Sequence, residues 1–191
     1  MLNRLDPTMT AMEGSVSDWT KALEEHRRQK DGYFRMAEDS PIPEEERHGF
    51  KGLQYFPPDP NFRFPVTLRP VEDRTPFTME VSQGRPREMV RKGVFEFVVA
   101  GATCRLFAYG PTHGSAHESL FVPFRDGTSG KESYGAGRYL DLETDPRGEY
   151  VLDFNEAYNP YCAYSEHYSC PLPPAENWLR VPIRAGERYS P

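Results

Sequence analysis

The chain has 191 residues, 37% of them hydrophobic and 13% aromatic, with 19 prolines and 15 glycines. That length allows one domain with a real core, and the proline and glycine load favours turns and short strands over long helices. A formal charge of −6 opposes a nucleic-acid or anionic-membrane surface, and three cysteines, an odd count, give no disulfide framework.

Residues 1–16 are polar and unpatterned, which predicts a flexible tail ahead of a single globular domain over 17–191. They contain no apolar signal core, and nothing in the chain approaches the about 20 apolar residues of a membrane span. The expectation is a cytoplasmic protein that engages neither membrane nor nucleic acid. Ser17 or Asp18 can cap a helix running to about Met36, with Trp19, Leu23, His26 and Tyr33 or Phe34 on one amphipathic face. Ser40-Pro-Ile-Pro followed by Glu44, Glu45 and Glu46 reads as a capped short turn that Gly49 ends.

From Phe62 to Phe154 the pattern has period two. It predicts strands at 62–68, 77–82, 88–91, 94–100, 103–109, 119–123, 139–142 and 150–154, with a tight hairpin at Gly101-Ala102. Val181-Pro-Ile-Arg-Ala-Gly-Glu187 reads as one last edge strand, where proline is tolerated. The fold class is mainly β (α+β). An antiparallel meander closes into a barrel-like or split-barrel-like domain, with the N-terminal amphipathic helix packed outside.

Two stretches carry the candidate chemistry. The first is Asp126-Gly-Thr-Ser-Gly-Lys-Glu-Ser-Tyr-Gly-Ala-Gly-Arg138. Glycines such as Gly127 let backbone amides gather on one side as an anion nest, Thr128 and Ser129 add hydroxyls, and Arg138 can hold a carboxylate or phosphate bidentately. The spacing is neither a Walker loop nor a dinucleotide fingerprint. The same residues equally allow a long β-connection in which Asp126 makes an Asx-turn and Arg138 pairs with Asp141 or Asp153.

The second stretch is 153–177, which holds two cysteines, one histidine and four tyrosines. Asp153 and Asn155 fall on one face at the end of a strand, either as ligand contacts or as anchors for the Tyr158-Asn-Pro-Tyr161 turn. Cys162, His167 and Cys170 are of zinc-ligand type, but no Cys-x2-Cys knuckle accompanies them. Packing, a redox pair, a disulfide and a Cys162 nucleophile with His167 as base, oriented by Asn155 or Asn159, use the same residues. His113 and His117 fit a solvated loop.

The runs Phe121-Val-Pro-Phe-Arg-Asp-Gly-Thr-Ser-Gly-Lys-Glu-Ser-Tyr-Gly-Ala-Gly-Arg-Tyr139, Leu152–Tyr164 and Cys170-Pro-Leu-Pro-Pro-Ala-Glu-Asn177 resemble a bacterial and archaeal family catalogued as domain of unknown function 1684. The likeness extends from about Trp19 to Glu187. It implies a single soluble domain and carries no activity, cofactor or catalytic residue.

The residues themselves point to a small-molecule site where the two stretches meet. An anionic or phosphorylated ligand would sit on Arg138 and the Gly127 backbone. Tyr134, Tyr158, Tyr161 and Tyr164 would supply walls with polar tips. A flavin phosphate is one version, by analogy of architecture alone. The competing expectations are a Cys/His metal site and a non-catalytic interaction module.

Overall fold

The computed structural model describes residues 7–112 and 119–189. His113 and His117 lie outside the described residues, as do the first six residues of the expected tail. The chain divides into two compact units, Met1–Gly52 and Leu53–Pro191.

The first unit is built on helix α1, Pro7–Met36. It starts ten residues before the Ser17 cap read from sequence, with proline at a first-turn position where no amide bond is lost. Leu23 and Phe34 are buried, whereas His26, expected on the same face, is exposed. After the helix the Ser40 hydroxyl donates to the Phe34 carbonyl and accepts from the Ile42 amide at 3.1 Å. A short 3-10 turn, Glu44–Gly49, follows, and the Phe50 ring stacks on Phe34 within the same unit. Among the described residues no helix is long and apolar enough to cross a membrane.

The second unit is mainly antiparallel β. Five strands form a curled half-barrel in the order β2 (Phe77–Met79), β3 (Arg87–Val99), β4 (Ala102–Pro111), β5 (Leu120–Phe124) and β6 (Arg138–Leu142). Strands β1 (Arg63–Thr67) and β7 (Glu149–Asp153) form a separate two-stranded ribbon. Reciprocal backbone bonds of 2.9 Å between Arg69 and Val94 join the ribbon to β3. The two strands expected at 88–91 and 94–100 are one strand of 13 residues, because a bulge between Arg91 and Gly93 absorbs the change of phase rather than ending the ladder. Val99 pairs with Ala102, so the hairpin turn is Ala100-Gly101, one residue earlier than expected.

The core lies between the half-barrel and the ribbon. Alternate residues of β3 and β4, among them Phe95, Phe97, Leu106 and Ala108, are buried. Phe64 on the ribbon, Phe97, Phe124 and Phe154 make ring contacts of 5.1–5.9 Å. Large aromatic areas thus compensate for a modest hydrophobic fraction.

Strands β4 and β5 pair only at Tyr109–Phe121. Beyond that point the sheet splays and the Asn177 side chain fills the gap. Its Oδ1 accepts from the Phe107 amide at 2.8 Å, and its Nδ2 donates to the carbonyls of Phe107 and Pro123 at 2.9 and 2.7 Å. In an antiparallel strand the N–H and C=O of one residue point the same way, so the donor that Pro123 lacks would also have faced this split. A buried amide replaces a stretch of ladder that proline cannot complete.

Candidate functional site

The Asp126–Arg138 segment connects β5 to β6. Its amides from Asp126 to Ser133 all find acceptors within the chain. The Asp126 amide donates to Ser129 Oγ, and the Thr128 amide to Asp126 Oδ1 at 2.6 Å, which is the Asx-turn. The Thr128 carbonyl collects the amides of Lys131, Glu132 and Ser133, and the Gly127 amide donates to Val181 at 2.9 Å. A Cβ on Gly127 would lie 3.0 Å from Pro182 N and 3.2 Å from the Arg180 carbonyl. The glycine does permit a close backbone approach. What approaches is the chain's own C-terminal segment.

Arg138 is fully buried, and its guanidinium pairs with Asp126 Oδ2 at 2.7 Å. Its remaining terminal N–H groups donate to the carbonyls of Ile183, Ala185 and Glu187. These alternate carbonyls would face a neighbouring strand, were there one. The segment expected as a last edge strand therefore runs as an extended strap with a single bridge at Glu187, because a side chain takes the place of the partner strand. Burial pushes the Arg138 guanidinium down from its ordinary range, with the Asp126 carboxylate opposing. The Arg138 Nε and the Asn159 Oδ1 are buried without a partner.

Glu187, buried at the end of the strap, was not singled out in the sequence. Its Oε2 accepts from the Asn159 amide and the Tyr164 hydroxyl at 2.8 and 2.9 Å. The sequence signal is an acidic residue closing an apolar, proline-containing run. Tyr164 also accepts from Asn159 Nδ2 at 3.2 Å. Tyr158 is bonded to Asp141 and meets Tyr139 edge-on at 5.6 Å. Burial, helped by the Asp141 charge, pushes the Tyr158 phenol up.

Asp153 and Asn155 anchor rather than open the second stretch. Asp153 pairs with Arg63 at 2.7 Å and accepts from the Asn155 amide and side chain. Asn155 in turn holds the Asp59 backbone through two bonds of 2.8 Å.

Cys162 and Cys170 come together on different terms. Ser82 and Cys170 are joined by two hydrogen bonds: the Ser82 amide donates to the Cys170 carbonyl at 2.8 Å, and the Cys170 amide to the Ser82 side-chain Oγ at 3.0 Å. Val81 and Pro171 form an adjoining bridge. A 3-10 turn, Tyr161–Ala163, then folds Cys162 back so that its amide donates to the Cys170 sulfur at 3.3 Å. The Tyr134 hydroxyl lies 3.4 Å from the Cys162 carbonyl and 3.9 Å from its sulfur. Both cysteines are free thiols, Cys162 half-buried and Cys170 buried.

A hydrogen bond from the Cys170 thiol, with help from Ser82 and Tyr134 and against the cost of burial, pulls the Cys162 thiol down to about 6. The same bond pushes Cys170 up, since it must give up its proton beside a sulfur already charged. Burial and the neighbouring Cys162 push Tyr134 up to about 12, so it stays a donor at neutral pH. Ser82, some 80 residues away in sequence, carried no signal of this role.

His167 is exposed and its amide bonds to Ser165 Oγ. Among the described residues no three His, Cys, Asp or Glu side chains gather as a metal-ligand set. The third cysteine, Cys104, is buried in the core, and burial pushes its thiol up.

The solution NMR structure of the uncharacterized protein from gene locus rrnAC0354 of Haloarcula marismortui is 41% identical, with a TM-score of 0.71 over 93% of this chain and 97% of that one. No curated protein matches the chain. The family model described as "Protein of unknown function (DUF1684)" matches residues 48–188, which contain the half-barrel, the strap and both thiols. The chain belongs to the DUF1684 family.

Proposed function

We propose that the protein acts as a thiol–disulfide redox protein whose working pair is Cys162 and Cys170. The observation that carries this reading is the 3.3 Å bond from the Cys162 amide to the Cys170 sulfur. Two cysteines held this close need little backbone movement to link. The half-buried member is the acidic one, which is the arrangement a reactive thiol requires: thiolate character together with access. The reacting partner is a small molecule, and the setting is cytoplasmic, where such pairs are transient rather than structural.

The anionic-ligand reading centred on Arg138, Gly127 and Asp153 finds less support. A phosphate, whether free or on a flavin, needs donors, and the amides from 126 to 133 and the terminal N–H groups of Arg138 are already engaged within the chain. A three-ligand Cys/His metal site finds no gathered ligand set among the described residues.

Differential alkylation with peptide mapping tests the proposal. Treatment of the full chain with oxidised dithiothreitol should link Cys162 to Cys170 within one molecule and leave Cys104 free, and dithiothreitol should reverse it. Two thiols that stay separately alkylatable after oxidation would rule the reading out.

A further inference from the structure

The reducible substrate of this pair follows from what surrounds the reactive sulfur, and the inference rests on the dithiol reading above. We infer that the dithiol reduces hydroperoxides. Cys162 is the sulfur a substrate can reach, since Cys170 is only 7% exposed. Tyr134, its ring packed edge-on against Tyr189 at 5.1 Å, stands beside Cys162. Tyr161, the residue before Cys162, packs edge-on against Tyr168 with centroids 5.2 Å apart. Attack on a disulfide needs three sulfurs in line, with a substituent on each substrate sulfur. Attack on a hydroperoxide meets a terminal oxygen that carries only hydrogen, and it fits a half-buried thiol.

A donor points the same way. The Tyr134 hydroxyl lies 3.9 Å from the Cys162 sulfur and bonds toward it. A departing thiolate needs no such help, whereas a departing alkoxide or hydroxide is a poor leaving group unless it receives hydrogen bonds and a proton. In the first step the Cys162 thiolate attacks the terminal oxygen of ROOH and the O–O bond breaks. Cys162 becomes a sulfenic acid, and RO⁻ takes the proton of the Cys170 thiol to leave as ROH. That transfer makes Cys170 the thiolate needed next. It attacks the Cys162 sulfur, forming the disulfide and expelling hydroxide, which leaves as water with the proton that Cys162 first released. The sum is two thiols plus ROOH giving one disulfide, ROH and water. A dithiol reductant restores the pair.

The test mixes the reduced full chain separately with hydrogen peroxide, tert-butyl hydroperoxide and glutathione disulfide, and follows disulfide formation by quenched alkylation. At pH 7 at least one peroxide should oxidise the pair at least about tenfold faster than it oxidises free cysteine. It should also outpace glutathione disulfide. Which peroxide reacts faster distinguishes a free from an organic hydroperoxide substrate. The Cys170→Ser variant should stop at a Cys162 sulfenic acid that dimedone traps, and Cys162→Ser should give no trapped product. Wild-type rates with peroxide at or below that of free cysteine, or faster oxidation by glutathione disulfide, overturn the inference while the dithiol reading stands. Failure of every reagent, oxidised dithiothreitol included, to link the cysteines overturns both.

Discussion

Arg138 and Asp126 form an ion pair of 2.7 Å in which both side chains have zero exposure. The pair holds the β5–β6 connection and, through Arg138, the carbonyls of Ile183, Ala185 and Glu187. Removing one partner leaves a buried charge and uncapped carbonyls, whereas the intact pair contributes little net stability against desolvation. Arg138→Met should therefore cost about 3–5 kcal/mol, measured by urea denaturation. A loss below about 1 kcal/mol, the range of a surface ion pair, would contradict the strap's dependence on it.

Ala100 sits at φ 49 beside Gly101 at φ 80, the signature of a type I′ turn. An alanine in the left-handed region costs roughly 1–2 kcal/mol, and asparagine tolerates it better. Ala100→Asn should stabilise the hairpin by about 0.5–1 kcal/mol, seen as a rise of a few degrees in melting temperature.

Asn177 occupies the split between β4 and β5 with three bonds to main-chain groups. Asn177→Ala leaves these groups buried and unmade, and each such group costs about 1–3 kcal/mol unless water enters. The expected outcome is a loss of about 3 kcal/mol, with faster hydrogen exchange at the Phe107 amide before other β4 amides respond.

The hydrogen bond from Cys170 is the first cause of the low Cys162 value. Because the thiolate is the reacting form, iodoacetamide labelling of Cys162 should fall as pH drops through about 6. In Cys170→Ser the midpoint should move up toward the ordinary thiol range. Cys104, buried in the core, should stay unlabelled throughout and serve as an internal control. An unchanged midpoint in the variant would show that the two sulfurs are not coupled.

The strands were legible because one face of each packs on the core and period two survives along it, as in β3 and β4. The continuity of β3 was not, because a bulge shifts the pattern as a strand end would. The glycine-rich connection was legible as an unusual loop, and Asp126 as its Asx-turn. Its contact was hidden, since a gap that admits a ligand and one that admits the strap call for the same small residue at Gly127. The salt-bridge reading of Arg138 offered Asp141 or Asp153 as its partner, and the carboxylate it pairs with is Asp126 at the other end of its own loop. The Cys162–Cys170 approach lay within reach of spacing alone. The Ser82 contact and the insertion of Asn177 depend on the tertiary fold.

The most direct measurement is an equilibrium redox titration of the full chain against graded ratios of reduced and oxidised dithiothreitol, with thiol labelling read residue by residue. The expected result is one reversible two-electron transition, about 30 mV per tenfold change in the disulfide-to-dithiol ratio, in which Cys162 and Cys170 change together within one chain and Cys104 stays free. Labelling of Cys162 and Cys170 that persists at the oxidising limit, or cross-links that join separate chains, would contradict it.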